Sequence, residues 1–363
     1  MPLQRAFDEA RAATFGSAPN PRVGCVVTDS SGNLLGQGHT QPPSGPHAEI
    51  MALRDAAAQG HSVVGATAYV TLEPCSHHGR TGPCCDALIA AGIKKVVASI
   101  ADPNPLVSGQ GFARLRAAGI EVEVGPGAAE SRELNIGFFS RMIRKTPWVR
   151  MKIAASLDGT TALENGQSQW ITSDAARADG HVWRARSCAV LTGIGTVLQD
   201  NPRLDVRLVE TSRQPMLVVV DSRMETPLDA HLFIANRALL IYAAVQNDAK
   251  KAALEAAGAT VIVLPDQNGK VDLAAMLKDL AIREVNELHV EAGSKLNGSL
   301  MRAGLVDEFL VYLAPKLIGQ GQGMAAFGPL QSLADAVDLE FLSAERVGRD
   351  LRVLARVAGR DRF

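Results

Sequence analysis

Short apolar, β-rich runs separated by helical periodicity set the organisation of the chain. Residues 23–28, 66–72, 94–100 and 120–124 read as strands, and residues 48–59, 84–91 and 110–118 between them carry helix-like patterns. That alternation predicts an α/β layer with a sheet that is at least partly parallel. After Gly125 the pattern changes. A Gly-Pro-Gly turn leads into a single polar helical stretch over 128–144, and Lys145-Thr146-Pro147 ends it. A helix stopped before proline predicts a domain junction, so a first domain over 1–145 and a second over 146–363 are expected.

Beyond the junction the alternation resumes, with strand runs at 148–154, 188–192, 216–220, 238–242, 261–264, 287–290 and 308–313. The tail differs. Leu351, Val353, Ala355 and Val357 alternate with Arg352 and Arg356, the pattern of a strand with one wet face. Both halves therefore read as α/β, and no fixed-period repeat suggests a solenoid.

At 363 residues the chain exceeds the size of one hydrophobic core, which agrees with two domains. With 47% hydrophobic and 21% charged residues and a formal net charge of -1, it has neither the composition of a disordered chain nor the basic balance of a nucleic-acid binder. The densest basic run, Arg141-Met142-Ile143-Arg144-Lys145, lacks interleaved aromatics and reads as a solvated helix end. Asp8 and Glu9 stand where a signal peptide needs apolar residues, and no run reaches the ~18 apolar residues of a membrane span. A cytoplasmic protein with no membrane partner is expected. Homo-oligomerisation is left open. Five scattered cysteines, an odd number, argue for reduced thiols and metal ligands rather than a disulfide framework.

The chemistry concentrates in one constellation. His47-Ala48-Glu49 opens a helical pattern, Pro74-Cys75 follows a strand, and Cys84 comes nine positions later at the start of another helical pattern. Zinc deaminases hold Zn²⁺ with one imidazole and two thiolates, and a nearby glutamate that is not a ligand shuttles protons. His47, Cys75 and Cys84 fit the ligands and Glu49 the shuttle. Zinc brings the pKa of water toward ~7, which suits hydrolysis of an amidine-like ring carbon. Helix starts near both cysteines favour their thiolates. An isolated buried cysteine is usually a small core residue, as Cys25 and Cys188 are read here. The joint pattern sets Cys75 and Cys84 apart. A closed structural zinc site does not call for Glu49. Cys85, His77 and His78 are the substitute ligands to weigh.

His47-Ala48-Glu49 together with the run from Glu73-Pro74-Cys75-Ser76-His77-His78 to Gly82-Pro83-Cys84 resembles the bifunctional riboflavin biosynthesis deaminase-reductase family. In that family the long Cys-to-Cys loop is the expected form. Asn20-Pro21, Val23-Gly24, Met151 to Gly159, Ser168-Gln169-Trp170-Ile171-Thr172 and Asn201-Pro202-Arg203-Leu204 extend the resemblance over nearly the whole chain. It implies a cytidine-deaminase-like N-terminal domain followed by a dihydrofolate-reductase-like C-terminal domain. It also implies removal of the 2-amino group of a phosphorylated ribosylaminopyrimidine, then NADPH reduction of the ribosyl chain to ribityl. Asn20 and His39 would contact the first substrate.

For the second half, residue chemistry alone is less decisive. Gly193-Ile194-Gly195 lacks the third glycine of a dinucleotide fingerprint, so a Rossmann fold is disfavoured. The turns at 193–196 and 291–295 are possible phosphate cradles, although glycine there is often only a steric solution. Ser222-Arg223 could grip a 2′-phosphate, favouring NADPH, or could be a solvated turn. The resemblance implies NADPH contacts at Ala154, Trp170, Thr196, Asp200, Ser222, Gly293, Ser294, Lys295, Leu296, Asn297, Gly298 and Ser299. Substrate contacts would fall at Ser168, Arg184, Leu204, Arg207 and Glu291. Arg184 and Arg207 suit a sugar phosphate because a guanidinium fork fixes an anion's direction. Lys152, Asp200 and Glu291 are unranked candidates to assist hydride transfer. The rival readings are a cytidine- or guanine-type deaminase fused to a ligand-binding domain, and an inactive zinc-stabilised binding module.

Overall fold

The computed structural model describes residues 1–77, 82–105 and 107–363, in two compact units, Met1–Arg144 and Lys145–Phe363. The first contains α1 (Pro2–Ala12), β1 (Gly24–Thr28), β2 (Leu34–His39), α2 (Ala48–Ala58), β3 (Thr67–Val70), α3 (Cys84–Ala90), β4 (Lys95–Ala98), α4 (Gln110–Ala117), β5 (Glu121–Val124), α5 (Ala128–Leu134) and α6 (Ile136–Arg144). Its sheet runs β2-β1-β3-β4-β5. β1 is antiparallel to both neighbours, and β3, β4 and β5 are parallel.

The sheet and α2 meet at glycines. A Cβ on Gly36 would lie 2.3 Å from the Ala52 carbonyl oxygen, and one on Gly38 would lie 2.4 Å from the Met51 Cβ. These positions let α2 settle directly on β2, and α2 carries the His47-Ala48-Glu49 motif at its start. Sequence reading missed both α1 and β2. The run Leu-Leu-Gly-Gln-Gly-His offers little β-propensity, and its strand identity comes from pairing with β1. The single helical stretch expected over 128–144 is two helices. Asn135 breaks it, because its side chain accepts from the Arg22 N–H at 2.7 Å and donates to the Arg22 carbonyl at 3.0 Å.

The second unit contains β6 (Trp148–Ser156), β7 (Thr160–Leu163), α7 (Asp174–Arg186), β8 (Ala189–Gly193), α8 (Ile194–Asp200), β9 (Met216–Val220), β10 (Leu239–Ala243), α9 (Asp248–Ala256), β11 (Thr260–Val263), α10 (Leu273–Ile282), β12 (Glu287–Val290), α11 (Ser294–Arg302), β13 (Glu308–Ala314), β14 (Gly321–Gly323), β15 (Leu339–Val347) and β16 (Asp350–Val357). Nine strands form one sheet in the order β11-β10-β9-β8-β12-β6-β13-β16-β15, parallel from β11 through β13 and antiparallel at β16 and β15. Apolar residues of β6, β8 and β12 pack with α10 and α11 into the largest core cluster.

The opposite face is polar at its centre. There α7 is tied to the sheet by Arg186 on Glu287 at 2.9 Å, Arg352 on Asp179 at 3.0 Å and the Tyr312 hydroxyl on Asp179 at 2.6 Å. The wet face expected for the tail strand is not found at Arg356. β16 lies inside the sheet, between β13 and β15, and Arg356 is buried against Glu308 at 3.0 Å and over the Trp148 ring. A buried carboxylate and an aromatic face replace the water that the sequence pattern suggested.

Candidate active sites

His47 is the N-cap residue of α2, and Glu49 lies in that helix's first turn. Cys84 is the first residue of α3, and its backbone N–H donates to the Cys75 sulfur at 3.3 Å. The His47 Nδ1 lies 3.3 Å from the Cys84 sulfur and 3.6 Å from that of Cys75. The three ligand atoms fall within 4.8 Å of one another, the only such metal-holding group among the described residues. Hydrogen bonds from the Cys84 thiol, the His47 ring and the Cys84 N–H hold the Cys75 thiol well below its usual range despite burial.

Glu49 is only 4% exposed. Burial pushes its carboxyl up to about 7, with the Cys75 sulfur adding to the effect and the His47 ring opposing it. A carboxyl poised there takes up or gives back a proton at neutral pH, which an ordinary surface glutamate does not.

The substitute ligands separate from this group. Cys85 turns the other way, its thiol donating to the Pro74 carbonyl at 3.2 Å, and burial pushes it up to about 12. One residue along a helix start is a rotation of roughly 100°, so adjacent cysteines cannot share a direction. His77 is outside the cluster, and His78 lies outside the described residues. Cys25 is buried in β1, while the half-buried Cys188 accepts from the Asn286 N–H at 3.3 Å. His39 ends β2 with its Nδ1 2.9 Å from Glu9 on α1. Asn20 is half-buried in the turn before β1.

Sequence reasoning gave Glu73 no role. Its buried carboxylate accepts from the N–H groups of Asp102, Gly109, Gly111 and Phe112 at 2.9–3.3 Å. That ties the start of α4 beneath Pro74-Cys75 and fixes the cysteine's backbone. The residue stood in the motif, but its partners lie 29 to 39 residues away and leave no local signal.

In the second unit a cavity of about 480 Å³ opens at the carboxyl ends of the parallel strands, where open α/β sheets bind ligands. It gathers Ala154, Trp170, Thr196, Asp200, Gly293, Ser294 and Asn297 with Ser168, Arg184, Leu204, Arg207 and Glu291. Ser222, Lys295, Leu296, Gly298 and Ser299 do not line it. On α11 the helical period brings 293, 294 and 297 to the cavity and carries the intervening side chains elsewhere. Gly298 has a packing role, since a Cβ there would lie 2.2 Å from the Ala326 carbonyl oxygen. Ser222 follows β9, and its carbonyl accepts from the Ala244 N–H at 3.0 Å. Trp170 is 60% exposed, with the Arg177 guanidinium 4.4 Å over its ring.

The charges in the cavity are interlocked. Arg184 grips Glu291 with two nitrogens, one at 2.9 Å, and donates to the Asp205 carbonyl at 3.0 Å. The Lys152 ammonium stands 3.6 Å from the same carboxylate. Burial works against charge on Glu291, yet Arg184 and Lys152 hold it well below the usual carboxylate range. Arg207 and Arg203 both reach Asp205, at 2.6 and 2.9 Å, while half of each side chain stays open to solvent. Asp205 went unnoticed in the sequence, because nothing local marks an aspartate that aims two arginines.

A His/Cys/Cys cluster with a buried glutamate beside it, and a basic cavity on a separate parallel sheet, define a zinc-type deaminase joined to a second catalytic unit. Residues 2–100 match the family model for the cytidine and deoxycytidylate deaminase zinc-binding region, and residues 147–353 match that for the RibD C-terminal domain. The riboflavin biosynthesis protein RibD of Escherichia coli K12 is 44% identical over 96% of both chains, and that of Aquifex aeolicus is 40% identical over 96% of both. RibD of Acinetobacter baumannii superposes with a TM-score of 0.89 at 36% identity. A diaminohydroxyphosphoribosylaminopyrimidine deaminase/5-amino-6-(5-phosphoribosylamino)uracil reductase of Thermotoga maritima gives 0.87 at 32%, each covering 98% of both chains. The chain belongs to the RibD family of riboflavin biosynthesis proteins. It is a bifunctional deaminase and reductase whose cofactors are zinc and NADPH. No helix among the described residues is long and apolar enough to cross a membrane.

Proposed function

We propose that residues 1–145 hydrolyse the 2-amino group of 2,5-diamino-6-(5-phosphoribosylamino)pyrimidin-4(3H)-one, and that residues 146–363 reduce the ribosyl group of the resulting uracil to ribityl. The observation that carries the reading is the meeting of His47, Cys75 and Cys84 within 4.8 Å, beside the buried Glu49. One imidazole and two thiols are a donor set suited to zinc, and three protein ligands leave a position for chemistry. Zinc supplies a Lewis acid that makes water nucleophilic near neutral pH. Glu49 takes up the proton released in the attack and returns it to the departing amino nitrogen, which leaves as ammonia.

NADPH would supply the hydride, held in the reductase cavity by Ala154, Trp170, Thr196, Asp200 and the start of α11 at Gly293, Ser294 and Asn297. Arg207, with Arg203 beside it, holds the sugar phosphate. Leu204 and Ser168 flank the substrate. Arg184 acts by fixing Glu291, which stands 3.6 Å from the Lys152 ammonium. Glu291 is thereby held as a carboxylate, and the Lys152 ammonium beside it is placed to stabilise the atom where negative charge accumulates. Asn20 and His39 contact the substrate in the deaminase site. The substrate is a small phosphorylated pyrimidine, no nucleic acid is engaged, and the protein is cytoplasmic.

Zinc-loaded protein given the diaminopyrimidine releases ammonia. Chelation abolishes that release and leaves NADPH oxidation with the deaminated compound unchanged. Ammonia release that survives complete metal removal contradicts the reading.

A further inference from the structure

His181 lines the reductase cavity from α7, yet it belongs to none of the groups assigned so far. Its side chain is 4% exposed. The Nδ1 accepts the backbone N–H of Arg207 at 3.3 Å, which places the ring proton on Nε2. That nitrogen makes no hydrogen bond to the described residues, and the His181 side chain lines the cavity. The surroundings are Arg184 and Arg177 on α7, Asp200 at the end of α8, Arg203, Asp205 and Arg207 on the loop after α8, Glu291 after β12, and Lys152 on β6. Five cations face three carboxylates, Asp200, Asp205 and Glu291, a positive balance that favours an anionic ligand group. Burial, reinforced by the charges of Arg184 and Arg207, lowers the ring to about 4, so it remains an uncharged donor at neutral pH.

We propose that His181 is a further substrate-binding residue of the reductase, donating from Nε2 to a phosphate oxygen of the phosphorylated ribosyl substrate between Arg184 and Arg207. The proposal deepens the reductase reading and rests on it. A fixed neutral N–H adds direction where the arginines add charge. It separates the sugar phosphate from the uncharged hydroxyl of a dephosphorylated chain, which has less to offer a donor. The cofactor also carries phosphates, but the proposal commits to the substrate's.

Two amide variants separate binding from support of the loop. In His181→Asn the amide can occupy the place of Nδ1, keeping an acceptor for Arg207 and removing the outer donor. In His181→Gln the longer amide restores a donor near Nε2. Reductase kcat/KM is measured with the deaminated phosphorylated compound and with its dephosphorylated form, alongside NADPH Kd by fluorescence. The expected result is a ten- to hundredfold fall for His181→Asn with the phosphorylated compound, of the order of a lost charge-assisted bond. His181→Gln stays within about threefold on the same scale. The dephosphorylated compound and NADPH are little affected in either variant. Equal losses with both compounds, or a His181→Asn protein near wild type beside an impaired His181→Gln, assign the residue to the Arg207 loop and overturn the proposal. A matching rise in NADPH Kd assigns the donor to the cofactor and overturns it as well. Wild-type protein that fails to oxidise NADPH with the phosphorylated compound removes the reductase reading itself, and the proposal falls with it.

Discussion

Cys84 and Cys85 are chemically identical neighbours whose environments assign them opposite roles. The Cys84 sulfur stands against the His47 ring, whereas the Cys85 thiol donates to main-chain carbonyls and is pushed up to about 12. Cys84→Ser is therefore expected to lose most of its zinc and its deaminase activity, while Cys85→Ser keeps both. Metal analysis of the two purified variants checks this, and zinc loss in Cys85→Ser alone would reverse the assignment. The zinc group was legible in the sequence because its residue types are rare in combination and each lies at the edge of a predicted element. Glu73, Asp205 and His181 were not legible. Their parts depend on backbone N–H groups and charges brought from distant segments, and each is an unremarkable residue in its local window.

Among the elements, α2 bears the most, since it brings both His47 and Glu49 to the site and rests on β2 through Gly36 and Gly38. Gly38→Ala forces a methyl into the Met51 Cβ and the Ala52 backbone. The expected cost is about 1–3 kcal/mol of stability in the first unit, together with weaker zinc binding as the helix shifts. Thermal unfolding and a zinc competition titration read the two effects, and an unchanged zinc affinity in a folded variant would mean that β2 does not set the helix position. The sequence predicted α2, α3, α4 and most parallel strands closely, because their apolar periods are strong. It missed β2, where the glycines that permit helix contact also erase the strand signal. It joined α5 to α6, because helical periodicity does not register an asparagine whose side chain serves a remote loop. The buried Arg356 is a third such case, polar in the pattern and dry in the fold.

For the whole molecule, the two sites draw their residues from different units, so the two activities should be separable by substitution. Glu49→Gln keeps the shape and hydrogen bonding of the carboxyl without its proton transfer. It should retain zinc, lose ammonia release by about a hundredfold or more, and still oxidise NADPH with the deaminated compound. Arg207→Ala should show the reverse, with normal deamination and reductase efficiency down about ten- to hundredfold. A folded, zinc-loaded Glu49→Gln protein lacking both activities would contradict the division. The most direct measurement on the central claim is the product mass after incubating the intact protein with the diaminopyrimidine substrate, with and without NADPH. The account predicts replacement of an amino group by oxygen in both cases, and a further gain of two hydrogen atoms only when NADPH is present. Recovery of unchanged substrate from zinc-loaded protein, or a product reduced while still carrying its 2-amino group, would contradict it.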